Sequence, residues 1–261
     1  MIAAGGRRVA VLLYHHIGPL TRGAAHQSLT VSPAAFLRQV RWLKWRGYTA
    51  ITPAQWLAWR NAGGPLPRKA VMLTFDDAYA DLVEHALPVL ERYRLPSAVF
   101  VITSKAGDFA SWEGRPTMTM DQIQHWAKRG VEIGAHTRQH SDLTAVSDQV
   151  VDVEVAGSKE DLMREGITPL SFAYPYGFYN DAVRRSVSDA FPLAFTCEEG
   201  LNDVTTDLLL LKRTMVQRRD TILDIEFRAA LGRSPLSRLR TRLRLRTRLR
   251  SILRRVRSIF D

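Results

Sequence analysis

The chain has 261 residues, 46% of them hydrophobic, enough for one large α/β domain or two small ones with a sizeable core. Its formal net charge is +11, but residues 233–261 hold 11 arginines against one acid, so the residues before them are close to neutral. No apolar run approaches the roughly 18 residues of a membrane-spanning helix, and a single cysteine, Cys197, excludes an intramolecular disulfide and fits a reducing compartment.

The start, MIAAGGRRVAVLLYHH, lacks a small-residue cleavage site after its apolar run and reads as a first strand (9–15) rather than a signal peptide. PAAFLRQVRWLKWRG (33–47) reads as a helix capped by Ser32, with Pro33 in its first turn and Gly47 at its end. PAQWLAWRN is a shorter helix, and AVMLTF (70–75) a buried strand. DLVEHALPVLERY (81–93) is helical with a kink expected at Pro88. SAVFVIT (97–103) is a strand, MDQIQHWAKRG (120–130) a helix stopped by Gly130, and VEIGAH a strand. A long helix capped by Ser147 covers 147–166. LSFAYP, NDAVRRSVSDA and LAFTC continue the alternation, with Cys197 expected as a core-facing thiol. LLLLKRTMV (208–216) is a last strand and TILDIEFRAALG (221–232) a last helix. About seven βα units predict a parallel sheet, open or closed into a barrel, with chemistry at the carboxyl ends of its strands. His15, Asp76, Asp77, His136 and Tyr174–Gly177 all fall at such ends.

Asp76 and Asp77 end a buried strand side by side, and two adjacent carboxylates repel unless a cation compensates. Capping of the next helix is an alternative use for either. His136 and His140 are four apart in GAHTRQH, and on a helical turn they would share a face. Two imidazoles and a carboxylate make a three-ligand hydrolytic metal site, with one aspartate on the ion and the other taking a proton from water.

These residues carry a resemblance. TFDD (74–77), HTRQH (136–140) and FAYPYG (172–177) resemble the first three motifs of the NodB-homology polysaccharide deacetylases, carbohydrate esterase family 4, over roughly 70–216. The resemblance implies a distorted, incomplete (β/α) barrel. It implies Asp76 as catalytic base and Asp77, His136 and His140 as ligands of a divalent metal, usually zinc, with cobalt or nickel able to use the same set. Tyr176 would offer a backbone N–H to the oxyanion, beside Pro175 and a Gly177 that lets the backbone approach substrate. Two departures stand out. Ala173 replaces the arginine that opens the third motif, and Arg213 is the candidate substitute. No histidine follows His140 to supply the late motif's acid. The segment VLLYHHIGP resembles the poly-β-1,6-N-acetylglucosamine deacetylase subgroup, in which a first-strand histidine is the acid. His15 matches it, and His16 is the alternative. Tyr14, Trp112, Phe178 and Tyr179 are candidates for stacking on sugar rings.

The expected organisation is a catalytic domain over 1–232 and a basic tail over 233–261. In the tail, Leu245, Leu249, Ile252, Leu253, Val256, Ile259 and Phe260 fall within about 120° of a helical wheel. That pattern predicts an amphipathic anchor on an anionic membrane surface, ahead of nucleic acid as the rival polyanion. The implied activity is N-deacetylation of amino sugars in a polysaccharide or lipid-linked glycan, at the cytoplasmic face of a membrane. Alternatives are a deformylase of a lipid-linked formamido sugar and a catalytically silent carbohydrate-binding scaffold.

Overall fold

A computed structural model describes residues 7–20, 27–63, 66–108 and 115–240. Along them run β1 (Ala10–Tyr14), β2 (His16–Ile17), β3 (Thr30–Val31), α1 (Pro33–Trp45), β4 (Thr49–Ala50), α2 (Pro53–Ala62), β5 (Ala70–Phe75), α3 (Asp81–His85), α4 (Leu87–Tyr93) and β6 (Ala98–Val101). They are followed by α5 (Met120–Lys128), β7 (Glu132–Ala135), α6 (Asp148–Arg164), β8 (Ser171–Ala173), α7 (Asp181–Ala190), β9 (Leu193–Phe195), β10 (Thr214–Met215) and α8 (Ile222–Leu231). The main sheet has the order β10-β1-β5-β6-β7-β8-β9, with β4 added beside β5, and every pairing is parallel. Leu211 bridges to Phe195 of β9, and Thr214 and Met215 pair with β1, so residues 211–215 span the gap between the two edges. The result is a curled, incomplete (β/α) barrel, as the resemblance implies, and a parallel sheet, as the alternation predicts.

Each strand divides its side chains between two cores, because successive residues face opposite sides of a sheet. Ala10, Leu12, Tyr14, Val71, Leu73, Phe75, Val99, Val101 and Phe172 pack outward under the helices. Val9, Val11, Ala70, Met72, Ala98, Phe100, Ala173, Leu193, Phe195 and Leu211 fill the barrel, whose amino end is plugged by Trp56 of α2. Continuing the inward parity past each strand end gives His15, Asp76, His136, Cys197 and Arg213. Strand alternation, with the inner face set by that packing, therefore aims these side chains into the barrel mouth.

Several expectations need correction. The 81–93 helix is broken at Ala86, with Pro88 in the first turn of α4, where its missing N–H costs nothing. The 208–216 strand is reduced to Thr214–Met215, because Asp207 opens a turn at 207–210. His136 and His140 do not lie on a helix. Thr137 and His140 have positive φ (65° and 63°), and the His140 N–H donates to Thr137 Oγ1 at 2.8 Å. Tyr14 is fully buried, its hydroxyl donating to Gln39 at 3.0 Å, and is out of reach of a sugar. Cys197 is partly exposed rather than core.

The domain boundary expected at 232 falls next to a further docked segment. Residues 235–240 are helical, Ser234 Oγ is bonded to Asp224, Arg238 pairs with Glu199, and Arg240 reaches Asp224 at 2.7 Å. The amphipathic pattern at 245–260, and Trp112, lie outside the described residues.

Candidate active site

The site begins with the turn after β5. Asp76 N–H donates to Tyr14 O at 3.0 Å, extending the β1–β5 ladder, so His15 and Asp76 leave the sheet as neighbours. Asp77 and Ala78 then take positive φ (70° and 51°), an unfavourable conformation for residues with a Cβ. That reversal turns Asp77 back toward His136 and His140. The surroundings hold it: Met118 N–H donates to Ala78 O at 2.8 Å, and Ala80 N–H to Pro116 O at 2.9 Å. Asp81 is bonded to His16 Nδ1 at 3.1 Å and lies 3.7 Å from Arg115. His16 faces away from the barrel and stacks on Tyr79 at 3.5 Å between centroids.

Asp77 Oδ1 lies 3.5 Å from His136 Nε2 and 3.6 Å from His140 Nε2. One ligand atom from each of the three can be chosen so that all lie within 4.8 Å of one another. His136 Nδ1 sits 2.7 Å from the carbonyl of Ala173, which fixes the proton there and leaves Nε2 as a lone-pair donor. Burial pushes the His136 pKa down against the pull of Asp76, and burial with His136 pushes that of His140 down to about 3. Two neutral imidazoles and one carboxylate are the donor set a divalent ion such as Zn2+ takes, so these residues fit the group that the motifs imply.

Asp76 is held differently. Arg213 grips it with two bonds, Nη1 to Oδ1 at 2.7 Å and Nη2 to Oδ2 at 2.8 Å, while Arg213 Nε donates to Thr196 O at 2.8 Å. The guanidinium is wholly buried between Phe100 and Phe195, 5.5 and 6.0 Å from their centroids. Burial pushes the Asp76 pKa up, but Arg213, His136 and His15 together hold it below the usual carboxylate range. Asp76 thus stays ionised 3.8 Å from His136 Nε2 without joining the three-residue set. His15 is buried, and among the described residues its Nδ1 has no hydrogen-bond partner. Burial pushes its pKa down to about 4, against Asp76.

On the other side of the mouth, the Tyr176 ring stands 4.7 Å from that of His140 and 5.8 Å from Phe178, and both aromatics are about half exposed. Tyr176 has φ 58° and Gly177 φ 77°. A Cβ on Gly177 would lie 2.6 Å from Cys197 Cβ and N. The missing side chain of Gly177 therefore admits the segment that follows β9. Tyr179 donates to Glu198 at 3.1 Å.

Some contributors escaped the sequence reading. Glu154 Oε2 accepts from the Arg138 and Gln139 N–H groups at 3.0 and 2.9 Å. Asp161 binds Arg138 with two 2.8 Å bonds. Arg138 packs where a Cβ on Gly157 would sit. Glu154, Gly157 and Asp161, spaced three and four apart on α6, thus shape the loop carrying His136 and His140. That spacing is visible in the sequence, but its partner loop is not.

A profile of the polysaccharide deacetylase family matches residues 63–191, the stretch that carries Asp76, Asp77, His136, His140 and Tyr176. The chain carries a polysaccharide deacetylase domain over that stretch. Among similar proteins, the Bacillus subtilis (strain 168) protein YxkH is 27% identical over 213 residues, 80% of this chain and 71% of its own. The poly-beta-1,6-N-acetyl-D-glucosamine N-deacetylase of Staphylococcus aureus (strain MSSA476) is 26% identical over 165 residues, 59% of this chain and 56% of its own. Alignment with the S. aureus enzyme thus reaches only about half of that protein's length. Among solved structures, the Streptococcus pyogenes deacetylase PplD, in complex with acetate, superposes with a TM-score of 0.76 at 26% identity, over 84% of this chain and 96% of that one. IcaB from Ammonifex degensii does so with a TM-score of 0.75 at 26% identity, over 87% and 97%.

Proposed function

We propose that this chain is a metal-dependent carbohydrate N-deacetylase that hydrolyses the N-acetyl group of amino sugars in a glycan. The observation that carries this reading is the separation of two adjacent acids into two environments. Asp77 faces His136 and His140, while Asp76 is clamped by Arg213 beside them. A bound divalent ion, Zn2+ in our reading, supplies Lewis acidity for the acyl carbonyl and an acidified water. Asp77, His136 and His140 would hold it. Asp76, kept ionised by Arg213, takes a proton from the attacking water. The Arg213 clamp also fixes which way that carboxylate faces. His15, next to Asp76 at the end of β1, donates a proton to the departing amine nitrogen. Since burial keeps its imidazole neutral at rest, it gains that proton within the cycle, and Asp76 is the neighbouring group able to pass one on. The N–H of Tyr176 is the candidate oxyanion donor, and the exposed rings of Tyr176 and Phe178 form an apolar wall against which a pyranose can stack.

The test is acetate release by zinc-loaded protein from β-1,6- and β-1,4-linked N-acetylglucosamine oligomers. Asp76→Asn is expected to lower kcat by about 10²–10⁴ while retaining metal. Asp77→Ala is expected to lose stoichiometric metal. Absence of acetate from all such oligomers would overturn the reading, and formate release from a formamido sugar would favour the deformylase instead. A silent scaffold would need no stoichiometric ion.

The tail supports a further reading. Eight arginines among residues 241–261, interleaved with leucine, isoleucine and valine, suit tethering to the anionic inner face of a membrane, where a lipid-linked glycan would be within reach. Vesicle affinity left unchanged by replacement of those arginines would overturn the tether.

A further inference from the structure

The side of the barrel built from α1 and α8 brings together exposed apolar groups and unopposed positive charge. Trp45 is 72% exposed, Leu223 58% and Leu231 48%. Leu223, Phe227 and Leu231 are spaced four apart and lie along one stripe of α8. On α1, the rings of Trp42 and Trp45 are 4.9 Å apart. Glu226 ties the two helices together, accepting from Trp42 Nε1 at 3.0 Å and Arg46 Nη2 at 2.7 Å, so the indoles stand beside the α8 stripe. Residues 33–46 contain Arg38, Arg41, Lys44 and Arg46, all exposed, and no acid. Among the described residues, only Arg46 of these four has an acidic partner, and that partner is Glu226.

We infer that the α1–α8 side is a docking surface for an anionic lipid bilayer. Single exposed apolar residues are ordinary on a protein surface. Tryptophan and leucine side chains beside Arg38, Arg41 and Lys44, with the one acid between the helices, Glu226, already paired to Arg46, match the layered chemistry of a bilayer interface, with indoles at headgroup level and cations toward lipid phosphates. Charge complementarity excludes a second basic copy of this face as the better occupant, and the arginine-rich residues 241–261 would be repelled by it for the same reason. Arg240, the last described residue, is held against Asp224 at the amino end of α8. The inference extends the tether reading but stands on the folded body.

It also orients the enzyme. α1 starts just after β3, at the carboxyl end of the sheet, and ends where Lys69 Nζ meets Arg46 O just before β5, at the amino end. α1 therefore runs along the barrel wall. A protein lying on that wall opens its catalytic mouth along the membrane plane rather than into or away from it.

The test uses the full chain with phosphatidylglycerol–phosphatidylcholine vesicles, and phosphatidylcholine alone as the reference. Trp45→Ala with Leu223→Ser is expected to lower partitioning onto the anionic vesicles about tenfold, with thermal melting unchanged because both side chains are exposed. Bromine-labelled lipid is expected to quench the wild-type fluorescence, and Trp45→Phe to lose that quenched component. Equal partitioning of wild type and the double variant would overturn the inference and leave the tail alone as the anchor. Equal wild-type binding to both vesicle types would overturn it too, as would self-association abolished by the double variant without a change in vesicle binding. Activity on soluble oligomers is unchanged in either face variant, so failure here is distinguishable from failure of the deacetylase reading.

Discussion

Single residues decide how the mouth of this barrel works. Arg213 is 137 residues from Asp76 yet makes two strong hydrogen bonds to it, both side chains being buried. Breaking one partner of a buried pair leaves an uncompensated charge, at a cost of about 3–5 kcal/mol. Arg213→Met is therefore expected to lower stability by about that much, and adding Asp76→Asn to recover part of the loss. Denaturant melts of the two single variants and the double would measure the coupling. Gly177 is a second such point. An alanine there meets Cys197 backbone at 2.6 Å and must hold φ near 77°. The left-handed conformation alone costs about 1–3 kcal/mol, so Gly177→Ala is expected to lower Tm and displace Tyr176. A crystal structure of that variant with an unmoved Tyr176 would sink the argument.

At the scale of elements, the loop carrying the two histidines is fastened to α6. Arg138, first of all by its hydrogen bonds, holds the Asp161 carboxyl down at about 2, below the ordinary 3.8. A depressed acid binds fewer protons folded than unfolded between those two values, so its stabilisation is full above pH 3.8 and is lost as pH falls toward 2. The difference in Tm between wild type and Asp161→Asn should be largest above that window and shrink through it. A difference that stays constant down to pH 2 would mean the pair is not what fastens the loop. The same scale shows how far elements can be read from a single chain. Most strands and helices follow from apolar period and caps: Ser32 caps α1 through Ala35 N, as its position suggests, with Pro33 first in the helix. Pro88 marks the break beside Ala86, but the two-residue strands β2, β3 and β4 were not legible, because each depends on a neighbour supplying hydrogen bonds rather than on local pattern.

For the whole molecule, metal and fold are expected to be linked. A ligand that binds only the folded chain stabilises it by about 2.7 kcal/mol at one hundred times its Kd. Zinc should therefore raise Tm, and a chelator should reverse the rise in wild type but have no effect in Asp77→Ala. A zinc-induced rise that survives in Asp77→Ala would place the ion elsewhere.

The sequence by itself determined the class of fold and the side of the sheet on which the chemistry stands. Strand alternation puts His15 and His16 on opposite faces and the strand ends collect the polar groups, and motif spacing marks Asp76, Asp77, His136 and His140. Only the tertiary structure decided how these groups divide the work. Strand order sets Arg213 against Asp76, the Ala173 carbonyl against His136, and α6 under the histidine loop. Those pairings join residues tens to more than a hundred positions apart, and no local pattern encodes a distance that only the closing of the barrel creates.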